Sequence, residues 1–329
     1  MAKVKISAIR NTLQKLLVKK GIPFKEARII ANDYLEGELQ GKHSHGLMAF
    51  PTLIQKMPEK RKKIKVLKKT NSLIVYDANE NLGAVVGKQA VDWLTVMTKK
   101  EGIGIAMIKN MTTWLRPASI AQQLAEKGLI GIVVNNGGKP MTAPPGGFDP
   151  AVGTNPIGIG IPTSKEPILT DMATSVRAWG EVRKAERTGK NLPKEAYYDK
   201  KGKFAIKAKD AYSALPMGGY KGFALGMLIE ILTGSLLDRD MGQHQMKGDY
   251  RTMTRGGFIL AINPTKTTTN DKFRKANSRL VKEIKSSKKI KGVKEILVPG
   301  EKAMKTRSKN LKRGYLEIDT KLWEEIKEL

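Results

Sequence analysis

The side chains with the clearest capacity for acid–base or metal chemistry are few in this chain. Its 329 residues include three histidines, His43, His45 and His244, and no cysteine. Without cysteine there is no disulfide framework and no thiolate to bind a metal or carry redox chemistry. Three histidines spread this widely do not predict a metal site. Metal-centred and cysteine-based chemistry are therefore not expected.

The segment from Asn110 to Arg116 is where an α/β protein of this sequence is expected to keep its chemistry. Ile103–Ile108 is a short β-branched run that predicts a buried strand, and Leu129–Val134 predicts a second one. Pro117 suits the first turn of a helix between them, because a proline nitrogen has no proton to leave unpaired there. The loop of such a unit lies at an edge of the sheet, where α/β proteins place their sites. It holds Thr112, Thr113 and Trp114, and no side chain that titrates near neutral pH.

Seven short motifs rich in glycine, proline and hydroxyl residues follow one another along nearly the whole chain. They are Ser44-His45-Gly46, Asn81-Leu82-Gly83 with Gly87, Ala143-Pro144-Pro145-Gly146-Gly147, Val152-Gly153-Thr154-Asn155-Pro156, Asp171-Met172-Ala173-Thr174-Ser175, Gly218-Gly219-Tyr220-Lys221-Gly222 and Val298-Pro299-Gly300-Glu301. Each alone has little specificity, but seven in this order are a strong signal. Through them the chain resembles the malate/L-lactate dehydrogenase family. Its members are NAD(P)-dependent oxidoreductases of 2-hydroxyacids and 2-oxoacids that lack the ordinary Rossmann fold.

The resemblance implies a fold, a domain arrangement and an assembly. The expected fold is α/β, with a non-Rossmann mixed sheet as its core and a helical dimerisation region built from both ends of the chain. Residues 1–70 are expected to form a helical N-terminal region that packs with C-terminal helices in 299–329. Residues 71–298 are expected to form the dehydrogenase-like core. A homodimer is expected, because the family forms one.

Three departures from the family pattern fall on functional positions. The histidine that transfers a proton in the family aligns with Thr113, the arginine that grips the substrate carboxylate aligns with Ala49, and a third histidine aligns with Gly257. A threonine hydroxyl does not exchange a proton near pH 7, and losing a general acid–base group costs roughly 10²–10⁴ in rate. Losing a bidentate arginine also releases the carboxylate that orients the substrate. The sequence thus predicts that the family's set of catalytic residues is not intact in this chain, although His45 is retained close to the same pocket.

The residues that match the family's dinucleotide pocket are expected to survive as remnants, with no bound cofactor. They are Asp171, Met172, Ala173, Thr174, Ser175, Lys221, Pro299, Gly300 and Glu301. A structural alternative for part of this set is that Asp171, Thr174 and Ser175 cap a helix predicted over Val176–Arg187. If the enzyme is active, the resemblance implies NAD(P) as its cofactor.

The net charge is the unusual feature of the composition. The chain has 60 Lys and Arg residues against 31 Asp and Glu, for a formal charge of +29 and a sequence pI near 10.0. Thermophilic proteins enrich acidic and basic residues together in paired networks, which does not fit this excess. An unbalanced positive charge is the electrostatic signature of a polyanion binder.

The basic residues form one run and two helical stripes. The run is Lys60, Arg61, Lys62, Lys63, Lys65, Lys68 and Lys69, and charge runs of this kind are more often solvated linkers than binding sites. The stripes are Lys282, Lys285 and Lys289, then Lys302, Lys305, Lys309 and Lys312, with Arg313 beside them. Like charges at this spacing destabilise a helix by a few tenths of a kcal/mol per pair. With no acid between Lys302 and Arg313, the pattern favours a partner outside the chain.

The function predicted from these features is sequence-nonspecific binding of duplex DNA through backbone phosphates, on a dehydrogenase scaffold that has lost its chemistry. Composition does not separate DNA from RNA, and a nucleoid-associated protein in the cytoplasm is the expected setting. A membrane surface is not expected as a partner, because the chain shows no amphipathic basic helix with a Trp, Phe and Leu face. A spanning helix is not expected either, because no apolar run approaches the roughly 20 residues that cross a bilayer. The alternative is an active NAD(P)-dependent malate or 2-hydroxyacid dehydrogenase.

Overall fold

The structure is a computed structural model that describes residues 1–55, 57, 62–112, 114, 116–246 and 254–329. Its strands are β1 (Ala2–Lys5), β2 (Lys65–Lys69), β3 (Leu73–Asp77), β4 (Ile103–Met111), β5 (Ile130–Asn135), β6 (Ile157–Ile161), β7 (Ile168–Met172), β8 (Tyr197–Tyr198), β9 (Ser213–Ala214), β10 (Arg255–Ile262) and β11 (Tyr315–Ile318). Its α-helices are α1 (Ile6–Lys19), α2 (Phe24–Leu39), α3 (Phe50–Gln55), α4 (Gly83–Glu101), α5 (Pro117–Glu126), α6 (Gly180–Thr188), α7 (Tyr220–Thr233), α8 (Asn270–Lys285), α9 (Glu301–Arg313) and α10 (Thr320–Glu328).

Seven strands form a mixed sheet in the order β2-β3-β4-β10-β5-β6-β7. Only β3 and β4 are parallel neighbours, and the other pairs are antiparallel. The middle strands bury Ile108, Val133 and Ile259 completely, as expected for β-branched residues with helices on the sheet. The mixed sheet and its α/β surroundings confirm the predicted fold class.

The order of the strands explains how distant residues meet. Strand β10 comes late in the chain but lies between β4 and β5, so Arg255 is opposite Met111 and Gly257 is opposite Asn135. The loop after β4, the start of β10 and the end of β5 therefore share one edge of the sheet. That edge is the one at which the sequence placed the chemistry.

The two ends of the chain pack together beside the sheet. Strand β1 pairs with β11, and helices α1, α2 and α10 enclose a core that includes Ile9, Leu13 and Leu17. Helix α9 joins this cluster, because Asn310 donates a hydrogen bond to the carbonyl of Leu39 at 2.9 Å. The domain limits of 70 and 299 stay a prediction, except that β2 belongs to the large sheet and not to the helical region.

Two predicted elements differ from the structure. The segment Leu47–Met57 was expected to be one helix, but it begins as a 3₁₀ turn over Leu47–Ala49 before α3. The segment Val293–Val298 was expected to be a strand and has no regular structure. Both stretches are short and flanked by glycine or proline, where local pattern is weakest.

Helix α7 was expected to lie inside the core because it is the most apolar helix, and this is wrong for half of its surface. Ile229 is buried, but Met227 and Leu228 are 50% and 51% exposed. The stretch Tyr220–Leu237 has the length and composition of a membrane-crossing helix, with 39% of it buried. One such stretch is weak evidence, because core helices of soluble proteins share these properties. In this fold α7 packs against β5 and β10.

The capping interpretation of the Asp171–Ser175 segment is also wrong. Helix α6 begins at Gly180, its N-cap residue is Trp179, and no side chain caps it. Ser175 instead donates its hydroxyl proton to the carbonyl of Arg177 at 2.8 Å. The segment is a connection between β7 and α6 and not a helix start.

Candidate active site

His45 lies in a single 3₁₀ turn, His43–His45, that is fixed against the end of α2. The buried carboxylate of Glu38 accepts a hydrogen bond from the N–H of Leu47 at 3.0 Å and contacts Nδ1 of His43. Glycine is needed at position 46, because a Cβ there would lie 2.5 Å from Oε2 of Glu38. The Ser-His-Gly motif therefore holds the histidine in place through close packing.

The imidazole of His45 is neutral at pH 7. Burial lowers its pKa to about 4, against the opposing effect of the Asp171 carboxylate. Three nearby cations lower the pKa further, namely Arg116, Arg183 and Lys42. The hydroxyl of Ser44 lies 2.9 Å from Nδ1, which leaves Nε2 for a ligand. His45 is thus a neutral donor or acceptor in cationic surroundings.

Asp171 is brought beside this turn by the end of β7. Its carboxylate forms an ion pair with Lys42 at 3.4 Å and contributes to the field at His45. The pairing leaves Lys42 with a partner inside the chain. Of the residues assigned from the family's cofactor pocket, Asp171 is the one that the fold places next to the histidine turn.

The wall at the sheet edge is closed by Trp114. Its indole is 5% exposed, and its Nε1 donates a hydrogen bond to the carbonyl of Gly83 at 2.8 Å. A Cβ at Gly257 would lie 2.7 Å from Cη2 of Trp114 and 2.9 Å from Cε of Met111. The indole therefore fills the volume in which a side chain at position 257 would stand. A histidine side chain at position 257 would clash with Trp114 in this packing.

The same wall holds polar atoms without partners. Oγ1 of Thr112 and Oδ1 of Asn135 are buried and make no hydrogen bond within the described part of the chain. The guanidinium of Arg255 donates to the carbonyl of Thr112, and its Nε lies 3.4 Å from a Cβ placed on Gly138. Buried polar atoms without partners carry a desolvation cost unless a ligand or water satisfies them.

Two arginines of α6 form the wall opposite the sheet edge. Arg183 and Arg187 are one helical turn apart, and both line the same cavity as His45. Neither makes a hydrogen bond or ion pair with the other described residues. Two unpaired guanidinium groups at a concave site favour an anionic ligand.

These walls enclose a cavity of about 720 Å³. Pockets for small organic ligands are about 300–1,000 Å³ and combine apolar walls with a few polar groups. Met48, Leu53 and Leu82 supply apolar surface, and Glu80 and Glu325 are its acidic lining residues. Among the described residues, no group of three or more His, Asp or Glu is arranged to hold a metal ion.

Only some of the residues at the predicted catalytic positions line this cavity. Ala49 and His45 line it, and Gly257 lies behind Trp114. Thr113 is outside the described residues. Sequence reasoning missed Arg183 and Arg255, because the first lies in a lysine-rich segment and the second in a polar stretch without a motif. The one available signal is that Arg255 stands three residues before the apolar run Phe258–Ile262, which predicts a strand.

Most of the residues assigned from the family's cofactor pocket have other contacts here. None of the nine, all of which are described, lines the cavity. Thr174 donates to the carbonyl of Thr154 at 3.1 Å, and a Cβ at Gly300 would lie 2.7 Å from Cβ of Leu169. Asp171 is in its ion pair, Ser175 is in its turn and Glu301 is in an ion-pair cluster. Ala173 is half-buried, and the remaining three are exposed: Met172, Lys221 and Pro299.

That cluster accounts for part of the lysine stripes. Glu301 forms ion pairs with Lys285 and with Lys305 at 3.0 Å, and Lys305 also reaches Glu295 at 2.6 Å. Burial alone would raise the pKa of Glu301, but hydrogen bonds from the two lysines and the N–H of Val298 outweigh it and lower the pKa to about 2. The expectation that no acid neutralises the stripe is therefore wrong at its centre.

The remaining basic residues lie on the outer surface. Lys65, Lys68 and Lys69 form the exposed edge strand β2, where charge prevents edge-to-edge association of sheets. The carbonyls of Lys62 and Lys63 accept hydrogen bonds from Asn81 and Asn79. Lys289 donates to the carbonyl of Lys294, and exposed residues complete the set: Lys282, Lys302, Lys309, Lys312 and Arg313. Lys60 and Arg61 lie outside the described residues.

Comparison with known proteins agrees with the fold. The sequence model of the malate/L-lactate dehydrogenase family matches residues 4–327. The malate/(S)-sulfolactate dehydrogenase of Methanothermus fervidus is 31% identical, over 97% of this chain and 95% of its own. An NAD⁺-dependent ureidoglycolate dehydrogenase of Escherichia coli O157:H7 is 28% identical over 89% and 87%. The structure of the sulfolactate dehydrogenase of Methanocaldococcus jannaschii superposes with a TM-score of 0.89 at 30% identity, covering 99% of this chain and 96% of that one. This chain belongs to the malate/L-lactate dehydrogenase family.

These relatives overturn the function predicted from charge. The prediction of a nucleic-acid-binding scaffold is wrong, because chains about 30% identical over nearly the full length are dehydrogenases. A pseudoenzyme without cofactor, located on the nucleoid, has no support from them. A count of positive charge did not distinguish lysines that pair with Glu301 or protect a sheet edge from lysines that bind a partner.

Proposed function

We propose that this protein is an NAD(P)-dependent oxidoreductase that interconverts small 2-hydroxyacids and 2-oxoacids. The observation that carries the proposal is the cavity, where a neutral histidine and unpaired arginines face one another inside a fold shared with dehydrogenases along nearly the whole chain. An anionic substrate fits the arginines, and proton exchange at its C2 oxygen fits the histidine. Its relatives act on malate and sulfolactate, which are acids of this class.

The cavity has features that fit a nicotinamide cofactor. Oγ1 of Thr112 and Oδ1 of Asn135 are buried, unpartnered and on the cavity wall, so a carboxamide could donate to both oxygens. The arginines fit the negative charge of a dinucleotide as well as that of a substrate. NAD(P), when bound, supplies or accepts the hydride at C2. We therefore replace the expectation of no cofactor with a requirement for NAD(P).

The chain's own part in the reaction is to hold and exchange one proton. Ser44 can donate to Nδ1 of His45 or accept from it, because a hydroxyl does both. In the reduction of a 2-oxoacid the imidazolium form of His45, which the carboxylate of the bound acid favours, donates its Nε2 proton to the C2 oxygen as that oxygen gains charge, and the ring becomes neutral. In the oxidation of a 2-hydroxyacid the neutral ring accepts the hydroxyl proton at Nε2 as the hydride leaves C2, and the ring becomes the imidazolium. The Ser44–His45 pair thus serves both directions.

The test of this proposal is turnover by the purified chain. The loss of NADH or NADPH absorbance is followed with oxaloacetate, pyruvate and 3-sulfopyruvate, and the reverse reaction with the matching 2-hydroxyacids. The proposal expects saturable turnover of about 1 s⁻¹ or more for at least one acid, the low end of ordinary enzymes. No turnover above background for every acid with either cofactor would refute it. A zero-substrate control separates turnover from oxidation of the cofactor by the buffer.

We further propose that the chain acts as a homodimer in the cytoplasm, through the apolar face of α7. That face exposes Met227, Leu228 and Ile231 by 43% to 51%, which is apolar surface that water disfavours. Light scattering should give twice the mass of 36.3 kDa. Leu228→Glu should give a monomer, while Leu280→Glu, at an equally exposed position of α8, should leave the dimer intact. A monomeric parent protein would refute the proposal.

A further inference from the structure

We infer that Arg183 of α6 grips the substrate carboxylate and takes the role that an arginine at the position of Ala49 has in the family. The inference rests on the proposed function, which supplies the 2-oxoacid. It differs from the family pattern in the element that carries the guanidinium. The anchor has moved from the turn after Ser-His-Gly to the first half of α6.

The first support is the position of the guanidinium. A Cβ built on Gly180 would lie 4.0 Å from Nη2 of Arg183 and 3.4 Å from Oγ of Ser44. The same Oγ is 2.9 Å from Nδ1 of His45. Glycine at position 180 lets α6 approach the histidine turn this closely. The guanidinium and the imidazole therefore flank one corner of the cavity.

The second support is that Arg183 lacks a partner where other arginines have one. Arg239 donates to the carbonyl of Thr254 at 2.8 Å, and Arg307 pairs with Glu36. Arg116 donates to Gln40 at 2.9 Å and has Nε and Nη2 without partners in the described part of the chain, but it is 2% exposed and does not line the cavity. Within the described residues Arg183 makes no hydrogen bond or ion pair, although all five of its N–H groups can donate. An unpaired guanidinium at a concave wall is ready to bind an anion.

The other cations on the cavity wall or near His45 fit the role less well. Lys42 acts on His45 but is paired with Asp171 at 3.4 Å. Arg255 donates to the carbonyl of Thr112. Arg187 is unpaired but lies one turn further along α6 and is not among the charges that shift the pKa of His45. Arg183 alone among the described cavity-lining cations combines an unpaired head group with an effect on His45.

The geometry has a direct chemical consequence. A planar guanidinium holds a carboxylate through two parallel hydrogen bonds, which fixes both the position and the rotation of the acid group. The C2 oxygen is attached to the neighbouring carbon, so an acid held by Arg183 places that oxygen on the His45 side. Ala49 leaves the rest of the corner open for the substrate.

The experiment compares the parent protein with Arg183→Ala, Arg183→Lys and Lys184→Ala. Lys184 is the neighbouring exposed cation and does not line the cavity, so its variant controls for charge and helix stability. Equilibrium binding of malonate, an unreactive carboxylate probe, is measured by calorimetry, and KM and kcat are measured with the acid turned over. Circular dichroism and melting temperature verify that each variant is folded.

The expected result is a loss confined to carboxylate recognition. Arg183→Ala should weaken malonate binding and raise KM for the 2-oxoacid by roughly 10- to 100-fold, the worth of a hydrogen bond to a charged group. Arg183→Lys should lie between Arg183→Ala and the parent protein, because it keeps the charge and loses the fork. Lys184→Ala should stay within about 2-fold of the parent protein, as an exposed control.

Three outcomes would overturn the inference. They are malonate binding by folded Arg183→Ala equal to that of the parent protein, no malonate binding by the parent protein, and a raised KM for NAD(P)H with an unchanged KM for the acid. The last result would assign Arg183 to the phosphate of the cofactor. Absence of turnover in the parent protein refutes the proposed function. If the parent protein turns over and the Arg183 variants have the same malonate binding and the same KM, only the role of Arg183 is refuted.

Discussion

Two clusters of cations in this molecule look alike in sequence and differ in structure. The C-terminal cluster surrounds Glu301, which pairs with Lys285 and Lys305 on the outer surface. The cavity cluster on α6 has Arg183 and Arg187, which have no acidic partner among the described residues and face a concave wall. The comparison teaches that pairing and shape, and not charge density, separate a structural cation from one that is ready for a ligand.

The largest expected effect concerns the packing that gives the cavity its shape. Trp114→Ala should reduce the free energy of unfolding by about 3–5 kcal/mol, because it empties a buried indole site and leaves the carbonyl of Gly83 without its donor. Urea unfolding monitored by circular dichroism measures the loss. A loss below about 1 kcal/mol would contradict the close packing seen here.

The same site offers a double-mutant test. Gly257→Ala should destabilise the parent protein, because its Cβ would lie 2.7 Å from the indole. In the Trp114→Ala background the indole is gone and the added methyl meets only the flexible end of Met111, so Gly257→Ala should cost much less there than in the parent protein. Equal costs in both backgrounds would show that Gly257 and Trp114 are not coupled.

The next effect tests the C-terminal cluster. Glu301→Gln should cost about 1–3 kcal/mol of stability at pH 7, because a carboxylate with a pKa of about 2 loses its charge-assisted bonds. Because the pKa of Glu301 is lower in the folded protein, this stabilisation is fully present at a pH above the unfolded pKa of 4.5. It is lost as the pH falls through about 2. Parent and variant should therefore differ in urea midpoint at pH 7 and converge towards pH 2. Lys309→Ala, an exposed control without an acidic partner, should change stability by less than about 0.5 kcal/mol.

The last stability effect comes from His45 and appears only at acidic pH. The pKa of its imidazole falls from 6.5 to about 4 on folding, so the unfolded chain binds the extra proton between these values. Stability from this group should be complete above pH 6.5 and decline as the pH falls towards 4. The His45→Gln variant should lack the part of this loss of stability that protonation of His45 causes. Melting temperatures of both proteins across pH 4 to 7 test this, and parallel curves would contradict the lowered pKa.

Local pattern predicted the elements that carry their own start and stop signals. The helix Glu301–Arg313 was predicted to the residue, because Gly300 precedes it and Gly314 follows it. Strand β2 was missed, because a lysine-rich edge strand reads as a solvated linker. The exposed face of α7 was missed, because composition reports how apolar a helix is and not what covers it.

The candidate site was predicted only in part, since its decisive contacts join distant segments. The sequence indicated His45 and the loop after β4, through the family motif and the strand–helix pattern. It did not show that Trp114 fills the space at Gly257, or that α6 brings Arg183 to Ser44. Each of these contacts depends on the order of strands and helices in space, which spacing along the chain does not encode.

The most direct test of the account is the role of His45 in turnover, in a protein whose family histidine is replaced by Thr113. The account predicts that His45→Gln lowers kcat for the 2-oxoacid by roughly 10²–10⁴ while binding of NADH, measured by fluorescence, stays near that of the parent protein. His43→Gln, which changes the adjacent histidine that contacts Glu38 and does not line the cavity, should retain activity. A fully active His45→Gln variant would contradict the account and assign proton transfer to another group.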